Sequence, residues 1–297
     1  MTRIAIYIQS FLSKLIVFFK ALIKIILQSK WSVKYPESNS KSLVILGNGA
    51  SLKKDLEVLD KEGYKGDFMA VNFFAQTGLF EDLKPKNYVL ADPLFFKFDE
   101  KEAYYPKVKE FFLSLYEKCK WKLNVFIPYG YEKEYYKWLD ILELKNEKIS
   151  VSVYNKTNMN GTSSAVQYFY KKKWGMPSPT TVLIPCSMIG IGMGYKTIGL
   201  TGAGHNYHEG IAMSPDNVLQ IKVPHFYDGE EEVEYKPYYK PGGKETYTIS
   251  ELFMVLHKMF GSYKYVSKFA ERIGVQMVNY SKDSYIDEIK KVNNGSS

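Results

Sequence analysis

Between residues 43 and 279 short apolar runs alternate with longer stretches of helical periodicity, and this alternation constrains the fold more than any other feature of the chain. The runs at 43–46, 68–72, 88–91, 124–128, 149–154, 197–201 and 275–279 read as strands, and the pieces at 52–62, 101–118, 132–142, 163–173, 180–193 and 250–273 read as helices. Strands that alternate with helices form an open, mostly parallel sheet covered by helices on both faces. The expected class is therefore α/β. In such sheets ligands bind beyond the carboxyl ends of the strands, so the residues that directly follow each strand become the candidates for function.

The first such position is the most informative. In "LVILGNGASLKKDLEVL" an apolar strand enters a Gly-x-Gly turn and then a helix, so Gly47, Asn48, Gly49 and Ser51 stand where free backbone N–H groups and the helix dipole favour an anion. Asn72 ends the second strand, Asp92 the third, and Thr180 and Thr181 stand at the start of a later helix. The strand in "KTIGLTG" runs through Gly202 into His205, Asn206, Tyr207 and His208. Each of these residues has an ordinary structural role open to it, as turn former or cap, but together they share one rim. Familiar nucleotide motifs are missing. "GNGASL" lacks the third glycine of GxGxxG, and Asn72 stands where a dinucleotide enzyme would carry an acid; there is no GxxxxGK[ST] and no paired DxD after a strand. Amide, hydroxyl and backbone groups are left to hold a nucleotide, with no metal site indicated.

Charge narrows the partners. The 297 residues carry a net charge of +8, yet of the 40 basic residues only Arg3 and Arg272 are arginines. Arginine is the favoured fork for bases and phosphates, which argues against a nucleic-acid partner and for an anionic surface or small substrate. Cys119 and Cys186 stand far apart without a CxxC partner, so neither a zinc site nor a disulfide is indicated.

Residues 1–30 differ in kind. The segment 4–28 is long and apolar but interrupted by Lys14, Lys20 and Lys24, which at about 100° per residue fall on one polar arc with Gln9, Ser10, Ser13 and Gln28. That pattern fits an amphipathic helix lying in a membrane interface better than a span, and places the protein at the cytoplasmic face of the inner membrane as a peripheral protein. A helix packed on the domain or on a second subunit is the alternative, so a homo-oligomer stays among the options. Residues 31–41, polar and with Pro36, read as a linker into a domain covering 42–297. Within that domain the stretch of about 203–247, rich in Tyr, Pro, Gly and charge, reads as a lid or acceptor-binding segment.

Several of these segments occur in a familiar order. "VILGNGASL", "VNFF", "ADPLFF" and "GYKTIGLTGAGHNY" resemble the bacterial sialyltransferases of the Campylobacter lipooligosaccharide type, and "PHFYDG" with "FAERIGVQMVNYSKDSYIDEI" is similar to the related domain of unknown function 115 group of surface-polysaccharide glycosyltransferases. The similarity spans about residues 43–289. It implies a Rossmann-like fold and transfer of a sialic-acid-like sugar from a cytidine monophosphate (CMP) donor to a glycan or glycolipid acceptor. It further implies inversion, no metal or other cofactor, and a histidine general base. By position Asn48 would touch the donor phosphate or ribose, Asn72 the cytidine, and Thr180 or Thr181 the sugar carboxylate or phosphate. Two positions depart from the pattern: Asp92 stands for an asparagine, and Gly204 for an aspartate.

Histidine suits proton abstraction near neutral pH. His225 in "VPHFYDG" is the first candidate and His205 the second, whereas His257 in "LFMVLHKMF" reads as a packed helix residue. Tyr207 could donate a proton to a departing phosphate. Two other functions are carried alongside: a pterin-type pyrophosphokinase, with ATP and magnesium held by Asp228 and the glutamates 230–232, and a non-catalytic scaffold in glycan assembly.

Overall fold

The computed structural model describes residues 2–222, 226, 234–240 and 243–292. Helix α1 (Thr2–Gln28) precedes a body that alternates β1 (Ser42–Leu46), α2 (Leu52–Lys61), β2 (Asp67–Val71), α3 (Leu79–Leu83), β3 (Asn87–Val89), α4 (Tyr105–Lys118), β4 (Leu123–Pro128), α5 (Glu132–Ile141) and β5 (Ile149–Tyr154). There follow α6 (Ser164–Lys171), α7 (Leu183–Met193), β6 (Thr197–Thr201), three short strands β7 (Ile211–Met213), β8 (Leu219–Ile221) and β9 (Lys236–Pro237), then α8 (Ile249–Arg272) and β10 (Gln276–Asn279). Seven strands form one parallel sheet in the order β10-β6-β1-β2-β3-β4-β5. This is an open Rossmann-like α/β sheet with helices on both faces.

The period of two along each strand divides the core. Leu43 and Ile45 of β1 join Met69, Val71, Ile198 and Leu200 under α7 and α8, while Val44 and Leu46 join Ala70, Tyr88 and Val125 under α2, α4 and α5. With apolar residues needed on both faces, the strands read as continuous hydrophobic runs, which is why they were legible in the sequence. Helix α7 is apolar all round and buried along its length, so its "LIPCSMIGIGM" shows no amphipathic stripe. Helix α8 starts at a capping box in which Thr248 accepts from the Glu251 N–H and Glu251 from the Thr248 N–H.

Two segments outside the main sheet carry structure of their own. Residues 31–41 lie against the body: Val33 is buried, Tyr35 packs edge-on against Phe126, and Ser38 donates to the Asp67 carboxylate. Within 203–247, β7, β8 and β9 form a small antiparallel sheet, in strands too short for alternation to reveal. Tyr207, Tyr238 and Tyr247 pack from this region onto the core. No helix among the described residues is long and apolar enough to cross a membrane.

Candidate functional site

The chain leaves β1 toward β2 on one side, while β6 lies on the other side of β1 and leads to β10, so the sheet changes direction between β1 and β6. That switch point is where an open parallel sheet leaves a crevice. A cleft of about 1040 Å³ opens there, lined by the turn Gly47–Ser51, Asn72, Asp92, Thr180, Thr181 and the loop after β6 that includes Gly202, His205 and Tyr207. The described strand-end candidates therefore meet in one cavity, except His208, whose ring packs edge-on against Tyr285. His225 lies outside the described residues, as do Asp228 and the glutamates 230–232; its neighbour Phe226 donates its N–H to the Asn48 carbonyl and packs on Phe74.

The glycines have a different task from the one expected. The Gly47 and Gly49 N–H groups are not free: they donate to the Thr201 and Gly202 carbonyls at 2.9 and 3.0 Å. A Cβ on Gly49 would stand 2.5 Å from the Gly202 oxygen, and one on Gly202, itself at φ +56°, would stand 2.2 Å from the Gly47 oxygen. The glycines let the two loops at the switch point touch backbone to backbone. Among the described residues the N–H groups of Asn48, Ala50 and Ser51 carry no backbone partner, so the anion-favouring donors sit beside the glycines rather than on them.

The same loop contact is locked by a residue the sequence reading missed. Asp55 is buried in the first turn of α2, and its Oδ2 accepts from the Gly202 N–H at 2.8 Å, the Ser281 hydroxyl at 2.6 Å and the Ser51 hydroxyl at 3.0 Å. Burial raises its pKa, and these hydrogen bonds oppose the shift. Ser51 thus spends its hydroxyl on Asp55 and makes no cap hydrogen bond. The four-residue spacing of Ser51 and Asp55 on one helical face was the available signal.

Electrostatically the cleft has an anion-favouring wall. Helices α2 and α7 both begin at it, and Thr180 and Thr181 form the turn that leads into α7 rather than its first residues. Lys54 and Lys156 line it, and burial pulls the Lys156 pKa down while Asp92 acts the other way. Asp92 itself caps the 3-10 turn Pro93–Phe96, accepting from the Leu94 N–H at 3.0 Å. Two amide oxygens are orphaned: Asn48 Oδ1 and Asn72 Oδ1 are buried with no partner among the described residues. Asn72 sits at φ +48°, a conformation asparagine tolerates, and its carbonyl is held by the Tyr88 hydroxyl at 2.6 Å.

His205, at φ +53°, is buried with its Nε2 hydrogen-bonded to the Tyr263 hydroxyl of α8 and its ring stacked on Tyr207. Burial brings its pKa down to about 4, which leaves a neutral, weakly basic imidazole at pH 7. Burial pushes the Tyr263 pKa well up, with the Thr181 side chain acting the other way, and through His205 this one phenol ties α8 to the loop after β6. Tyr263 sits mid-helix, and no sequence pattern marks it. Tyr207 is held protonated, its pKa pushed up to about 12 by burial. Among the described residues no group of three or more His, Cys, Asp or Glu side chains could hold a metal ion.

No protein-family model matches the chain, and no curated protein matches it. Among solved structures, the MAf glycosyltransferase from Magnetospirillum magneticum AMB-1 is similar at 13% identity and a TM-score of 0.46, over 91% of this chain and 36% of that one. The chain thus spans little more than a third of the length of that structure.

Proposed function

We propose that the protein is a glycosyltransferase that binds a nucleotide-sugar donor, a CMP-activated sialic-acid-like sugar, in the cleft between β1 and β6 and transfers it to a bacterial surface glycan. The observation that carries this reading is the pairing of two orphaned amide oxygens with two helix N-termini in one cavity. Buried acceptors without partners call for a ligand that brings O–H or N–H donors, and helix N-termini call for an anion. A nucleoside phosphate has both, with ribose hydroxyls and an exocyclic amine beside a phosphate. The ordered motifs at the strand ends, similar to the sialyltransferases named above, support the CMP-sugar within that class.

In this reading Asn48 and Asn72 accept from the nucleoside, while the start of α7 with Thr180 and Thr181, Lys54 and Lys156 face the phosphate. A base takes the acceptor hydroxyl proton, the oxygen attacks the anomeric carbon with inversion, and the bond to phosphate breaks with its electron pair going to CMP. His225 is the proposed base; His205, neutral and engaged by Tyr263, is suited to hold the cleft wall. Tyr207 keeps a proton that the leaving phosphate can share. Residues 1–30 hold the enzyme at the cytoplasmic face of the inner membrane.

A thermal-shift screen with CMP, UDP, GDP and ATP tests this reading. CMP should raise the melting temperature most, and Asn48→Ala should weaken CMP binding at least tenfold. Equal shifts by all four nucleotides would overturn the CMP assignment, no shift with any of them would favour the scaffold, and turnover of ATP that requires magnesium would favour the pyrophosphokinase.

A further inference from the structure

The second half of α1 has two apolar faces with different fates. Phe18, Ala21 and Ile25, at helical spacing, face the body: Ile25 is fully buried in the core, while Phe18 and Ala21 are partly buried and packed against it, Phe18 edge-on to Phe169. Ile16, Phe19, Ile23, Ile26 and Leu27 recur at spacings of three and four on another arc and stay exposed, Ile23 at 55% and Leu27 at 76%. Lys20 and Lys24 stand exposed beside that arc. Contiguous exposed apolar surface of this kind marks an interaction site.

The helix is not a free tether. Its end is clamped by Asn155, whose Oδ1 accepts from the Lys30 N–H at 2.8 Å and whose Nδ2 donates to the Lys30 carbonyl at 2.9 Å, and by a 2.7 Å hydrogen bond between Ser29 and Thr157. Asn155 and Thr157 flank Lys156, which lines the cleft. Around the clamp lies a collar of interfacial chemistry. Trp31, half exposed, packs on Trp174 at 4.4 Å, the exposed Tyr168 meets Trp174 edge-on at 6.1 Å, and Lys30 stands over the exposed Tyr129 ring. Tryptophan and tyrosine beside lysine are the side chains that settle at the headgroup level of a bilayer.

We propose that α1 is a docking strut built into the fold: its exposed apolar arc seats on an anionic bilayer surface while its opposite face stays clamped beside the cleft. This deepens the membrane part of the reading above by fixing the lipid class, the contacting face and the orientation of the cleft. The occupant follows from charge complementarity. The first 36 residues contain Arg3 and five lysines and no acid before Glu37, so an acidic or zwitterionic surface is told apart by charge alone. A second copy of the same basic face would repel itself.

Flotation of the full chain with vesicles of phosphatidylcholine alone and of phosphatidylcholine with 30% phosphatidylglycerol tests the proposal. Binding to the anionic vesicles should exceed binding to the neutral ones at least tenfold and fall with added salt. The double variant Phe19→Glu/Ile23→Glu, on the exposed arc, should lose that binding while its circular dichroism and melting temperature match the parent. Lys20→Glu/Lys24→Glu should lose the lipid-charge preference. Amide exchange at Ser29 and Lys30 should stay slow on the vesicle. Equal binding to both vesicles, no binding by the parent, a dimer in solution that the double variant dissolves, or loss of protection at Lys30 on the vesicle would each overturn it. The CMP shift of the same protein separates failure here from failure of the donor reading.

Discussion

Replacing Asp55 separates charge from hydrogen bonding at the junction that shapes the cleft. In Asp55→Ala the Gly202 N–H and the Ser281 hydroxyl, both buried, lose their acceptor, while Ser51 at the cleft edge can turn to water. A buried donor left unpaired costs about 1–3 kcal/mol, so two amount to about 2–6 kcal/mol, or roughly 3–10 °C in melting temperature for a chain of this size. Asp55→Asn behaves differently. All three donors converge on Oδ2, which an amide oxygen can replace, and the wild-type carboxylate has its pKa raised because burial opposes its charge. A carboxyl whose pKa is higher folded than unfolded binds more protons when folded. Its ionisation therefore removes stability as pH rises above the ordinary carboxylate value of 3.8 and through the raised one. Asp55→Asn escapes that loss and should be at least as stable as the parent at pH 7, with the gap closing as pH falls below 4. Urea unfolding from pH 3.5 to 7 measures all three proteins. Asparagine as destabilising as alanine, or alanine within 0.5 kcal/mol of the parent, would refute the assignment of Asp55 as the lock of this junction.

Gly49→Ala drives a Cβ to 2.5 Å from the Gly202 carbonyl and should abolish the CMP shift and destabilise the fold by more than Gly63→Ala, which meets open space at φ +64° and should cost only about 1–2 kcal/mol; equal effects would mean that the loops can part freely. His205→Asn should flatten the pH dependence of stability between 6.5 and 4, because the wild-type ring, its pKa lowered to about 4, resists protonation when folded and so loses stability as pH falls through that window; parallel urea-derived curves would count against its burial. His225→Ala should lower sugar transfer by about 10²-fold or more with an unchanged CMP shift, and near-normal turnover would remove it as the base.

The apolar runs in this chain determined the sheet by themselves. A parallel strand covered on both faces must be apolar throughout, and a crossover helix must carry its own periodicity, so the strand ends at Leu46, Tyr154 and Thr201 could be placed from local pattern. With the strand ends came the candidates Asn48, Asn72, Asp92 and Gly202, since the chain order alone says which residues follow strands. What no local pattern holds is the partner of each group. That Gly47 and Gly49 spend their N–H groups on the loop after β6, that Asp55 reaches Ser281 across 226 positions, and that the Tyr263 hydroxyl engages His205 Nε2 are pairings made across the strand order, where β6 inserts beside β1. The same holds at the N-terminus. Composition gave α1 its apolar surface and its lysines, but which arc is buried and which remains exposed depends on where Asn155 and Thr157 catch its end, a contact between segments 125 and 128 residues apart that exists only once the sheet has formed.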